Sequence, residues 1–235
     1  MGSFLNVVAS RKLRCISVVA PASHCFECGE KLKFYSLIPV LSYVFQRGSC
    51  IYCGAKIPID VLLSEIIIPI LFILGYYNLG IGFSFLTYIF IVSILYIMVL
   101  TDIKSQTIYD SHLVFLFVIA FIHIIIKFLS RKFIISVAIL QIILYIIYLS
   151  LRSMEQPPMG EGDVLVYIAL LCFFDFKNGV LMMFLSFWIA AIIGAALLLT
   201  GKDKKYKLAF MPFIFMAYII TVNYGENILM SLRWV

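Results

Sequence analysis

Long apolar runs, separated by short polar breaks, fill the chain from residue 61 onward. Each run is apolar on every face, and most are longer than the roughly ten-residue alternating strands of an outer-membrane barrel. Helices satisfy their own backbone hydrogen bonds inside hydrocarbon, so this pattern predicts membrane-spanning helices joined by short loops. The seven runs cover residues 61–77, 83–100, 113–128, 133–151, 164–174, 180–199 and 208–222.

The first 60 residues show a different pattern. Residues 4–9 are apolar but too short to span a membrane, and basic residues follow them directly, which reverses the order in a secretory signal. We therefore expect a short or half-buried first helix, or a start that lacks part of it. The pattern predicts three parts, which are a partial helix over 1–20, a polar loop over 21–60 and a transmembrane core over 61–235.

Composition supports a membrane-embedded fold. Of 235 residues, 64% are hydrophobic and 13% are charged, and the mean hydropathy is +1.10. Soluble domains average about 45–50% apolar and about 25% charged residues, so lipid must surround most of this chain. We predict an all-α, polytopic transmembrane bundle of about seven spans, with a short N-terminal helix and a small polar loop.

The charges indicate how the chain is oriented in the membrane. The net charge of +6 comes from 18 Lys and Arg residues against 12 Asp and Glu residues, which lie mostly between apolar runs. This placement indicates topology rather than direct binding of nucleic acid. If every run crosses once, thirteen of the 18 basic residues share a side with residues 21–60, and the exceptions concentrate at 127–132. Cytoplasmic loops carry the excess of Lys and Arg, so this polar loop is predicted to be cytoplasmic.

Two Cys-x-x-Cys pairs lie in the polar loop, and a glycine follows each pair directly. The pairs are Cys25 with Cys28 and Cys50 with Cys53, with 21 residues between them. Four thiolates at this spacing predict a tetrahedral zinc site of the zinc-ribbon kind, which is structural because it leaves no open coordination position. The alternatives are reduced thiols without metal, or disulfides if the loop faces an oxidising compartment.

Carboxylates at the ends of apolar runs are the candidate catalytic groups, because a charge in the bilayer is costly unless it has a function. Asp102 closes the second run, and Asp163 opens the fifth as part of a Gly-x-Gly-Asp sequence. The predicted topology brings both to the cytoplasmic end of their helices, where two carboxylates sharing one proton could activate water. Gly160 and Gly162 would allow backbone or substrate to approach closely. Alternatively, each aspartate caps a helix or marks the headgroup boundary.

Several motifs in order resemble the bacterial type IV prepilin peptidases, a family of Gly-x-Gly-Asp intramembrane aspartic proteases. The resemblance extends over almost the whole chain. Its elements are residues 2–8 (opening Gly-Ser-Phe), 21–25 with Cys28, 38–43, Cys50 with Cys53, 102–110, 159–163 and 211–213 (Met-Pro-Phe).

The resemblance implies an aspartic endopeptidase that removes the basic leader from prepilins or pseudopilins, after a glycine and on the cytoplasmic side. Many members also methylate the new N-terminal phenylalanine with S-adenosylmethionine. Asp102 and Asp163 would be the catalytic pair, the four paired cysteines would bind zinc, and Asp110 would support the site. Tyr109 departs from the family, which often has proline there, and the chain begins directly before the opening motif. The Pro-Ala-Ser-His-Cys sequence at 21–25 most resembles that of members from Gram-positive competence systems.

Two other functions are compatible with parts of the sequence. An ion-coupled transporter also uses membrane aspartates, but it would show two repeated halves with binding groups near the bilayer midplane. A membrane thiol oxidoreductase would explain the Cys-x-x-Cys pairs, but it would need them on an oxidising side. The absence of an internal repeat and the predicted cytoplasmic loop favour the peptidase.

Overall fold

The structure is a computed structural model that describes residues 1–20, 22–127, 131–154, 159–200 and 208–234. Pro21 of the loop motif lies outside the described residues, as do the lysines within 202–207 and the side chains of Arg131 and Lys132. In the described part of the chain the α-helices are α1 (Gly2–Leu13), α2 (Leu41–Phe45), α3 (Ile59–Leu79), α4 (Phe83–Ser105), α5 (Asp110–Lys127), α6 (Arg131–Arg152), α7 (Glu161–Leu170), α8 (Phe176–Leu199) and α9 (Met211–Ser231).

The chain divides into two compact units, Met1–Tyr77 and Asn78–Val235. In the first unit, α1 packs so closely on α3 that a Cβ atom on Gly2 would overlap the backbone carbonyl of Ser64. The buried guanidinium of Arg11 donates to the carbonyl oxygens of Ser17 and Val18, both at 3.1 Å, and so ties the following loop to α1. The short first helix that the sequence predicts is therefore present.

A buried carboxylate on α3 holds the loop before α2. Glu65 accepts a hydrogen bond of 2.6 Å from the backbone amide of Val40, whose φ of 62° is unusual for a β-branched residue. The hydrogen bond satisfies a carboxylate that would otherwise be costly to bury. Glu65 therefore has a structural role within the first unit.

In the second unit, α4 is the most deeply buried long helix, and it packs against α9 and α5. Aromatic pairs join α4 to α9 at two levels, Tyr88 with Tyr218 and Tyr96 with Phe215. The short α7 packs against α5 and α6, and α8 packs against α9 and α6. This packing brings the C-terminal end of α4, the start of α7 and the start of α9 into one unit.

The all-helical, multi-pass membrane fold is confirmed, but the prediction of about seven spans is wrong for the described residues. Four helices there are long and apolar enough to cross a membrane, namely α3, α4, α8 and α9. Within α5 and α6, the stretches whose side chains are described are shorter apolar helices, Asp110–Ile126 and Val137–Arg152. The run at 164–174 folds as α7 and a 3-10 turn over Leu171–Phe173. Ten α-helical residues rise only about 15 Å, half of the roughly 30 Å hydrocarbon layer.

Candidate active site and metal centre

Asp102 lies near the C-terminal end of α4, with 7% of its surface exposed. Its Oδ2 atom accepts a hydrogen bond of 3.0 Å from the backbone amide of Met211, the first residue of α9. The α4 helix ends at Ser105, and the next residue, Gln106, adopts a left-handed conformation in which its amide donates to the Asp102 carbonyl oxygen at 2.8 Å. The side chain of Asp102 is thus directed at the start of α9.

Asp163 lies in the first turn of α7, with 8% of its surface exposed. Its carboxylate folds back on Gly160, the residue that caps the helix, and the Gly160 amide donates to it. A Cβ atom at Gly160 would lie 3.1 Å from Asp163 Oδ2, which is tighter than ordinary contact. Glycine at this position therefore leaves room for the carboxylate.

The structure brings Asp102 and Asp163 together as an electrostatically coupled aspartate pair. Burial, and then the charge of Asp102, raise the pKa of Asp163 to about 7. Asp163 lies outside the four candidate spans, in the ten-residue α7. Two neighbouring carboxylates disfavour simultaneous ionisation, so one of them keeps a proton near neutral pH. Such a pair can take a proton from water and donate one to a carbonyl oxygen.

Of the other predicted supporting residues, Gly162 lies in a close packing contact and Asp110 does not. A Cβ atom on Gly162 would lie 3.0 Å from Cδ1 and 3.2 Å from Cβ of Ile108, so this glycine permits close approach of α7 to the segment before α5. Asp110 is the first residue of α5 and is exposed. The structure therefore gives no geometric reason for a supporting role of Asp110. For Gly160 and Gly162 it does, because a side chain at either position would crowd its neighbours.

Sequence reasoning missed two groups around the aspartate pair. Met211 contributes through its backbone amide, and the only signal for it was the Met-Pro-Phe motif at 211–213. Tyr167 lies one turn after Asp163 on α7 and is fully buried, where its hydroxyl hydrogen bonds to Ser186 of α8. The helical spacing of four residues between Asp163 and Tyr167 could have indicated that they share a face.

The four paired cysteines of the first unit form a cysteine cluster, consisting of Cys25, Cys28, Cys50 and Cys53. Their sulfur atoms all lie within 4.8 Å of one another, and Sγ of Cys25 is 3.9 Å from Sγ of Cys53. A tetrahedral zinc with Zn–S bonds of about 2.3 Å needs sulfur atoms about 3.8 Å apart. The spacing of the sulfur atoms is therefore close to that of a tetrahedral zinc site, and the cluster could bind a metal ion.

The same backbone turn presents each pair of thiols. The amide of Gly29 donates to the carbonyl of Cys25 at 2.9 Å, and the amide of Gly54 donates to the carbonyl of Cys50 at 2.8 Å. Both glycines have φ of 73°, in the left-handed region that disfavours residues with a Cβ atom. Sequence reasoning noted the cysteines but missed the longer repeat Cys-x-x-Cys-Gly-x-Lys, at 25–31 and 50–56, which encodes the turn twice.

The electrostatics of the cluster favour a bound cation. Backbone hydrogen bonds from Cys53 and Tyr52 lower the pKa of Cys50 to about 7. The Ala55 amide acts to lower the pKa of Cys53, but loss of hydration and the three neighbouring thiols raise it to about 12. Four adjacent thiols cannot all ionise without a compensating positive charge, which a metal ion would supply.

Comparison with known families agrees with this arrangement of units. The model of the bacterial peptidase A24 N-terminal domain matches residues 1–79. The model of the type IV leader peptidase family matches residues 89–195, which include both members of the aspartate pair. The two models follow one another along the chain and together cover most of it.

Curated relatives extend over nearly the whole chain. A prepilin leader peptidase/N-methyltransferase from Bacillus subtilis (strain 168) is 29% identical, covering 97% of this chain and 92% of that protein. Proteins of the same name from Dichelobacter nodosus and Legionella pneumophila are 27% and 24% identical, covering 90% and 91% of this chain and 74% and 76% of their own lengths. No solved structure matches. With two consecutive family models and relatives that match 90% or more of this chain in agreement, the chain belongs to the type IV leader peptidase family.

Proposed function

We propose that this protein is an intramembrane aspartic endopeptidase that removes the leader from type IV prepilins or pseudopilins. The observation that carries the proposal is the buried aspartate pair, formed by Asp102 of α4 and Asp163 of α7. Family membership and the names of the relatives supply the substrate class. The sequence shows no repeated halves, and neither the family models nor the relatives described above favour the transporter alternative.

In this function the aspartate pair would hydrolyse one peptide bond. One carboxylate accepts a proton from water while the other donates a proton to the scissile carbonyl oxygen. The burial of both groups keeps the reaction away from bulk water and strengthens the electrostatic interaction between them. Gly160 would leave room for the Asp163 carboxylate, and Gly162 would let α7 pack against Ile108, so both glycines would help to position Asp163.

The names of the relatives include N-methyltransferase, so a second activity is proposed for the same chain. It would transfer a methyl group from S-adenosylmethionine to the new pilin N-terminus. The cysteine cluster would bind one zinc ion, which would hold the two turns together and leave no coordination position for substrate. The charge distribution supports a cytoplasmic position for both the cluster and the aspartate pair.

Co-expression with candidate prepilins tests the reaction and the substrate together. Mass spectrometry of the pilin should show loss of the leader when the wild-type chain is present, with addition of one methyl group if the second activity operates. A matched prepilin with its leader glycine replaced by a bulky residue should remain uncut. Intact leader on every candidate prepilin in the presence of accumulated protein would contradict the proposal.

A further inference from the structure

The start of α9 has an unusual distribution of backbone donors. The first amides of a helix have no partner within the helix, so each needs another acceptor when it is buried. Phe213 donates to the carbonyl of Phe210 at 3.0 Å, and Pro212 has no amide hydrogen to donate. Met211 is fully buried, and its amide donates to Asp102 Oδ2 at 3.0 Å.

Asp102 therefore acts as the capping side chain of α9, although it belongs to α4 and is 109 residues away in sequence. The amide of Phe210 also donates to the Asp102 carboxylate, so two backbone amides donate to this one side chain. Hydrogen bonds from amides and the positive end of a 21-residue helix both stabilise a carboxylate in its charged form. In a buried site these interactions are stronger than in water.

Asp163 has a weaker set of donors for a charged carboxylate. Among the described residues, one amide donates to its carboxylate, that of Gly160, and its own helix has only ten residues. Its burial is similar to that of Asp102, at 8% and 7% exposure, so burial does not offset the difference in donors. Because ionisation of both carboxylates is unfavourable, we expect the shared proton on the aspartate that accepts fewer hydrogen bonds from amides.

We propose that the start of α9 makes Asp102 the ionised, water-activating member of the aspartate pair and leaves the shared proton on Asp163. This assignment rests on the proposed function. The raised pKa of Asp163 agrees with it. Met211 and Phe210 are then positioning residues that act through their backbone, which gives a role to the Met-Pro-Phe motif.

The assignment specifies each proton in the reaction. Water oxygen attacks the scissile carbonyl carbon while its proton passes to Asp102. The carbonyl oxygen takes the proton of Asp163, which forms a neutral tetrahedral diol. As the carbon–nitrogen bond breaks, the proton on Asp102 passes to the leaving amine, and Asp163 recovers a proton from a diol hydroxyl. The cycle ends with the pair in its starting state.

Infrared spectroscopy of the purified full chain at neutral pH tests where the proton lies. A protonated carboxyl group has a carbonyl stretch that an ionised carboxylate lacks. We expect this band in the wild type and in Asp102→Asn, and its loss in Asp163→Asn. The opposite pattern, loss in both variants, or no change in either would overturn the assignment. The result does not depend on cleavage, so failure of the wild type to cut a prepilin would count against the proposed function alone.

Replacement of single amides by esters tests the role of α9. The α-hydroxy analogue of methionine at Met211 removes one donor and keeps the side chain. We expect kcat to fall roughly 10- to 100-fold with KM within about twofold, because a hydrogen bond to a charged group is lost. The matched control is the ester at Phe213, whose amide donates to Phe210. Equal losses at both positions, or unchanged kcat at Met211, would overturn the proposal.

Discussion

The cysteine cluster and the aspartate pair are built in contrasting ways. The cluster comes from 29 consecutive residues in which one backbone turn occurs twice, and two of its thiols are exposed. The aspartate pair comes from two helices whose carboxylates are 61 residues apart, with a third helix supplying a donor from 109 residues away. Local turns therefore hold the first site, and helix packing holds the second.

This difference predicts how each site responds to change. The four thiols of the cluster lie close together and can all ionise only if a cation compensates their charge. Removing one of them should therefore affect metal binding and the stability of the loop. The pair depends on the separation of packed helices, so small changes in helix packing should affect catalysis more than folding. The following changes test these expectations.

Loss of one cluster thiol should have the largest effect. We expect Cys50→Ser to reduce bound metal from about one ion per chain to almost none, because three thiolates hold zinc far less tightly than four. Elemental analysis of purified protein measures this content. Cys15→Ser is the matched control, since Cys15 is an exposed thiol of the same unit outside the cluster. Equal metal in Cys50→Ser and wild type, or none in the wild type, would refute a metal centre.

A methyl group between α7 and the segment before α5 should impair the aspartate pair. Gly162→Ala would place Cβ 3.0 Å from Cδ1 and 3.2 Å from Cβ of Ile108. The Cδ1 atom can rotate away but the Cβ atom is fixed to the backbone, so we expect α7 to shift slightly and move Asp163. We expect leader cleavage to fall about 10²-fold, as small misplacements of catalytic groups can cause. Gly194→Ala is the matched control, because nothing lies within 4 Å of its Cβ position. Similar cleavage by both variants would argue against this packing requirement.

Alkaline pH should reduce cleavage through Asp163. Because burial and Asp102 raise the pKa of Asp163 to about 7, its proton is lost as pH rises through that value. A donor of protons is active only while protonated, so kcat/KM should fall about tenfold for each pH unit above it. Thermal unfolding at each pH separates this loss from denaturation. A flat profile up to about pH 9 would be inconsistent with Asp163 as the proton donor.

Changes at the turn glycines should have the smallest effect. Gly54→Ala puts a Cβ atom at φ of 73°, which costs about 1–2 kcal/mol, although nothing crowds the position. Gly54→Asn should cost less, because asparagine tolerates the left-handed region better. Thermal unfolding of the metal-loaded protein compares the two. Greater stability of the alanine variant would contradict the strain argument.

The sequence was sufficient for features that one local pattern determines. Cysteine spacing led to the cluster, continuous apolar runs led to the membrane helices, and scarce charge drew attention to Asp102 and Asp163. The three-part division of the chain stays a prediction.

Features that depend on packing could not be predicted in the same way. Hydropathy does not distinguish a ten-residue helix buried among neighbours from a full span, so the predicted number of spans is too high for the part of the chain that the structure describes. The contact between Met211 and Asp102 depends on how α4 and α9 pack, and the contributing group is a backbone amide that every residue except proline carries. The Met-Pro-Phe motif indicated the segment, but no residue in it indicated this contact.

Leader removal by the aspartate pair is tested most directly by one comparison of purified proteins. Wild type, Asp102→Asn and Asp163→Asn are incubated with the same prepilin in the same detergent, and the cut pilin is quantified by mass. Both variants should accumulate in the membrane, while each loses cleavage by about 10³-fold or more, because general acid and base steps contribute 10²–10⁴-fold each. Wild-type cleavage by either variant would exclude that aspartate from catalysis.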